Sequence, residues 1–72
     1  MMFNIKVGDM FRYTASYSNQ VSICIVIKEY NRPNDDTKWY SLHWFDDFAK
    51  KHYDSHDYKT SYFNTDNWRK LS

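Results

Sequence analysis

The stretch from Val21 to Tyr30 most constrains what this chain can become. Val21-Ser22-Ile23-Cys24-Ile25-Val26-Ile27 is its only strongly apolar, β-branched run, and such residues fit a pleated, half-buried strand. Side chains alternate along an extended chain. Val21, Ile23, Ile25 and Ile27 therefore share one side, and Ser22, Cys24, Val26 and Lys28 the other. The first set is uniformly large and branched, so it is expected to face the core. The mixed set is expected to lie on a half-covered face.

Other segments arrange themselves around this strand. Ile5 to Tyr13 reads as a first strand kinked at Gly8, the only glycine, because glycine alone takes a positive φ cheaply. Ala15 to Gln20 is a polar connection. Asn31-Arg32-Pro33-Asn34-Asp35-Asp36 is a strong turn signal, and Lys38 to Phe45 reads as the second strand of a hairpin. There Tyr40, Leu42 and Trp44 share one face, and Trp39, Ser41, His43 and Phe45 the other. Asp46-Asp47 is placed to cap a short helix through Tyr53, with Phe48 and His52 one turn apart. Tyr53 to Tyr58 has no periodicity, so 46–59 is expected to be an inserted loop or short helix. Thr60 to Thr65 reads as one helical turn, capped by Thr60 or Ser61 and docked through Phe63. Trp68 to Leu71 reads as a closing strand.

Seventy-two residues allow one small domain, 1–72. A core of this size supplies only about 3–5 kcal/mol net. Cys24 is the only cysteine, so no disulfide forms within the chain, and mid-strand it reads as a small buried hydrophobe. With 21 % aromatic residues, large rings supply much of the buried area. A net charge of +1 lacks the basic excess of a dedicated DNA binder. The first residues carry neither the basic start nor the apolar segment of a signal peptide. No run approaches the roughly 20 apolar residues of a membrane span, so no membrane partner is expected and the cytoplasm is the expected location.

The strand order, with Lys6-Val7-Gly8-Asp9-Met10-Phe11-Arg12-Tyr13 at the start and Ser61-Tyr62-Phe63-Asn64 followed by Asn67-Trp68-Arg69-Lys70-Leu71 at the end, resembles small SH3-like-barrel proteins of tailed phages. The resemblance implies a mainly β fold: a small SH3-like barrel of four to five antiparallel strands, with one or two short helical turns in the C-terminal half. It also implies a host-takeover role, a phage-encoded module that binds a host protein or a nucleic acid in the host cytoplasm. It transfers no functional residue.

The residues offer little chemistry. His52 and His56 have the spacing of two ligands on one helix face, with Asp54 and Asp57 nearby and His43 able to join from its strand. No zincin glutamate or second cysteine accompanies them, so a solvated loop is expected rather than a metal site. Asp35-Asp36 and Asp46-Asp47 read as turn and cap residues, since acid–base work needs carboxyls in different environments across a cleft. A Cys24–His43 pair would lack an oxyanion hole and an orienting group. No enzymatic activity and no cofactor are expected.

Binding is the remaining reading. Tyr17, Tyr30, Trp39, Tyr53, Tyr58 and Tyr62 exceed what so small a core can hold centrally. Exposed tyrosine and tryptophan suit a protein interface and also a base-stacking platform. The basic residues are scattered and interleaved with acidic ones, which favours a host protein, with Trp39, His43, Tyr53 and Tyr58 as contacts and surface occlusion as the mode of action. The alternative is a nucleic-acid-binding barrel using Lys28, Arg32 and Lys38 with Trp39. A weaker alternative is a subunit of a phage assembly joined through a strand edge. The oligomeric state is open.

Overall fold

The computed structural model describes residues 5–34, 36–53 and 56–71. The described residues form β1 (Met10–Thr14), β2 (Val21–Asn31), β3 (Lys38–Trp44), α1 (Asp47–Tyr53), β4 (Asp57–Lys59), a 3-10 turn (Thr60–Asn64) and β5 (Trp68–Lys70). All strand pairs are antiparallel, in the order β4-β3-β2-β1-β5. The fold is mainly β, as expected, with the helical turn between the last two strands and the last strand closing on the first.

The sheet is curled. Tyr58 of β4 and Trp68 of β5 belong to opposite ends of the strand order, yet their rings lie 5.6 Å apart. Two edge strands can meet through side chains only if the sheet wraps around its core. Phe63 plugs the interior from the 3-10 turn, with its ring 4.6 Å from Trp68 and 5.0 Å from Phe11. Trp44, Phe11 and Phe63 are fully buried.

The two sides of β2 are reversed from the expectation. Ser22, Cys24 and Val26 are buried, whereas Val21 and Ile27 are exposed and Ile23 and Ile25 half-buried. Residues opposite one another in a ladder share a face. Cys24 stands between Phe11 of β1 and Trp44 of β3, and Val26 opposite Leu42. The neighbours' large rings fill the narrow interior, so the central strand can present only small side chains there. An interior packed near crystal density has no room for four more branched residues. Ser22 is accommodated because its hydroxyl donates to Asp46 Oδ2 at 3.2 Å.

The ladder slips by one residue between Val26 and Lys28, with Ile27 as the extra residue of a bulge. Alternation alone would place Lys28 beside Val26 on the inner side. The slip instead sets Lys28 opposite Ser41 and Tyr30 opposite Trp39, on the outer face. Glu29 takes the inner register position opposite Tyr40, where it stays exposed and pairs with Lys38.

The remaining elements follow local chemistry. Gly8 has φ +97°, and the kink is a turn closed by Asp9 N–H to Lys6 O at 3.0 Å and Lys6 N–H to Asp9 Oδ2 at 2.8 Å. Asp46 caps α1, accepting from Ala49 N–H through Oδ2 at 3.0 Å. The expected cap of the 3-10 turn is absent: no side chain caps it, and Thr60 Oγ1 donates instead to Lys38 O at 3.4 Å. The segment read as an insertion holds both α1 and β4. β4 escaped notice because a three-residue edge strand, Asp57-Tyr58-Lys59, gives only one inward side chain to detect.

Candidate functional site: the outer face of the sheet

Register defines the outward positions. Met10, Ile25 and His43 form one cross-strand row, and Arg69, Arg12 and Ile23 another. Phe45 N–H donates to Ile23 O at 3.1 Å, which sets Phe45 at the end of β3 beside that row. Its ring meets His43 edge to face, 5.0 Å between centroids. Ile27 is 56 % exposed, Phe45 50 % and Val21 48 %. Together with half-buried Ile23, Ile25 and Met10 they make an apolar stripe along the centre of the face. Val7, 58 % exposed, adds to the same end of β2 through the Gly8 N–H to Val26 O bond of 2.8 Å.

Beyond the bulge the same face is polar and aromatic. Arg32 lies over the Trp39 ring, 3.5 Å from its centroid, and Lys28 over Tyr30 at 5.3 Å. Asp57 accepts from the Tyr30 hydroxyl through Oδ2 and from Ser41 Oγ at 3.1 Å through Oδ1. The Asp57 hydrogen bond raises the Tyr30 phenol above its ordinary pKa, and burial acts in the same direction.

Trp39 and His43 therefore belong to one surface, as their spacing of four on a strand requires. Tyr53 and Tyr58 do not join them. Tyr53 ends α1 and packs against Trp44 and Tyr13 at 5.2 and 5.7 Å. Tyr58 points inward, 5.6 Å from Trp68, and burial raises its phenol strongly. Both line a separate concavity of about 520 Å³ on the barrel's other side, with Tyr13, Trp68, His52 and His56. Of the three lysine and arginine positions expected to bind nucleic acid, Lys28 and Arg32 lie on the outer face. Lys38 does not serve with them: its Nζ is 2.8 Å from Glu29 Oε1, and that carboxylate holds its pKa above the ordinary value. Neighbours in a strand point apart, so Lys38 and Trp39 occupy opposite faces.

Other candidate chemistry is dispersed. Cys24 is inside and His43 outside, so they form no pair. Burial pushes the Cys24 thiol up to about 12, against a smaller opposing effect of a backbone hydrogen bond at Phe11. His52 stacks on Phe48, 4.6 Å between centroids. Among the described residues no three metal-ligating side chains cluster; Asp54, the carboxylate read beside His52, lies outside the described residues. No helix of the described residues is long and apolar enough to cross a membrane.

Among known proteins the chain matches no family model, no curated protein and no solved structure. The site is therefore read from its own geometry. Sequence reasoning missed Ile23, Ile25, Ile27 and Phe45 as surface residues. The signal available was the size of the Trp44, Phe11, Phe63 and Trp68 rings, which leaves room for only one of the two β2 side-chain sets.

Proposed function

We propose that this protein is a non-enzymatic binding module whose partner is a protein, engaged through the outer face of the sheet. The exposed aliphatic stripe of β2 carries this reading. Contiguous apolar surface on a small domain marks an interaction site, and aliphatic side chains at its centre suit a protein surface better than a base, which stacks on rings. The phage-encoded inhibitor acting by occlusion of a host protein is the narrower form of the proposal, and it rests on the resemblance alone. A second reading, nucleic-acid binding, draws on Lys28, Arg32 and Trp39 standing together on the outer face.

The test uses immobilised protein, nuclease-treated bacterial lysate and mass spectrometry, followed by binding to the purified candidate. Wild type is compared with Ile27→Ser/Phe45→Ser, two side chains about half exposed on the outer face, after circular dichroism has shown that the variant is folded. A stoichiometric partner that binds wild type when purified, and binds the folded variant at least tenfold more weakly, supports the reading. Capture that vanishes with nuclease, or is unchanged in the variant, overturns it.

A further inference from the structure

The total charge of +1 conceals a segregation of charge. The outward positions of β1, β5 and the distal hairpin carry Arg12, Arg69, Lys28 and Arg32. The one carboxylate among the outward strand positions described is Asp57, and both its oxygens are occupied by hydroxyl donors. Most other described acidic residues lie elsewhere: Glu29 and Asp9 pair with Lys38 and Lys70, Asp46 caps α1, and Asp36 sits before β3; Asp66 lines the groove of Arg12 and Arg69 but is in no ion pair among the described residues.

Arg12 and Arg69 are directly opposite one another in the β1–β5 ladder. Like charges in that relation repel and destabilise a sheet. Neither belongs to an ion pair among the described residues. Both line a polar groove of about 380 Å³ with Asn64, Thr65 and Asp66, beside Ile23 in the apolar stripe. Two exposed guanidinium groups in a polar groove present forked donors that match carboxylates.

Resting on the protein-binding reading above, we propose that the partner surface is acidic as well as apolar, with carboxylate side chains seated on Arg12 and Arg69 while apolar side chains cover the β2 stripe. Partner carboxylates relieve the arginine repulsion, and Lys28 and Arg32 extend the same complementarity at the other end. A second copy of this chain is the poorer occupant, because stacking two such faces sets cations against cations.

A displayed library of random twelve-residue peptides, selected on the purified protein, tests this. The expected result is enrichment of peptides joining Asp or Glu to Leu, Ile or Phe. Arg12→Gln/Arg69→Gln should abolish the acidic preference, weaken the selected peptides at least tenfold and melt no lower than wild type. Enrichment that depends on Ile27 and Phe45 but shows no acidic preference overturns this inference and leaves the binding surface standing. Enrichment indifferent to Ile27 and Phe45, or none, overturns both. Tight binding of a fluorescent 20-nucleotide single strand, lost in the arginine variant and unmatched by any peptide, assigns the face to nucleic acid and overturns the proposal, as does concentration-dependent self-association lost in Ile27→Ser/Phe45→Ser.

Discussion

The two sides of β2 make opposite use of one strand. Inside, Ser22, Cys24 and Val26 are small and completely enclosed; outside, Val21, Ile23, Ile25 and Ile27 are large and only partly covered. The larger apolar set would gain more from burial, yet it faces outward. The reason is competition for volume: aromatic rings from β1, β3, β5 and the 3-10 turn already fill the barrel. Stability is thus concentrated inside in a few rings, and the central stripe of the outer face is left apolar.

Truncating the ring core should separate the two faces most sharply. Trp44→Ala removes a fully buried indole at a cost of about 3–5 kcal/mol. That equals the roughly 3–5 kcal/mol a domain this size holds, so far-UV circular dichroism at 25 °C should show a largely unfolded chain. Retention of the wild-type spectrum with a cooperative melt within a few degrees would refute the ring-core account.

Enlarging the inner side comes next. Cys24→Ile overpacks the space between Phe11 and Trp44 and should cost about 1–3 kcal/mol in urea unfolding. If Cys24→Ile were neutral, the interior would have the spare room that this account denies it. The thiol also gives a pH signature. Its ordinary value of 9.0 is raised to about 12 by burial, so folding favours the neutral form. That contribution is complete below about pH 9 and is lost as pH rises through 9 toward 12. Cys24→Ala should therefore lose less of its own stability than wild type over that window.

Asp46 joins the barrel to α1, and removing it should have an intermediate effect. Asp46→Ala takes away the acceptor of Ala49 N–H and of the Ser22 hydroxyl. Loss of a cap costs about 1 kcal/mol, and a buried hydroxyl left without its partner adds about 1 kcal/mol more. A midpoint equal to that of wild type in urea would show that the cap contributes nothing.

The outer face should be nearly silent in stability. Ile27→Ser/Phe45→Ser is expected to change unfolding free energy by no more than about 0.5 kcal/mol per site, while binding fails. A loss comparable to that of Cys24→Ile would mean that the stripe is structural and the comparison between faces misdrawn.

Much of the fold was legible because its signals are local. Turn chemistry marked Gly8 and Pro33–Asn34, alternation marked the faces of β3, and Asp46 with its following residues marked α1. β4 was not legible, since its three residues become a strand only by pairing with β3. Of the site, Trp39 and His43 could be grouped by spacing, whereas Tyr53 and Tyr58 needed their ring contacts to show that they belong to the barrel's other side. The charge segregation was hidden because cations far apart in the chain, Arg12 and Arg69, meet only through a long-range strand pairing.

The sequence by itself determined the elements: a long β-branched strand, an aromatic-rich hairpin, a capped helix and a docked turn before a closing strand. Each follows from dihedral preferences and hydrogen bonds within a few residues. Tertiary structure decided which way β2 faces, where its alternation slips, and which cations share a surface. Those outcomes depend on how much volume the other strands' rings occupy and on which residues the ladder sets opposite one another, and neither quantity exists until the chain has closed on itself.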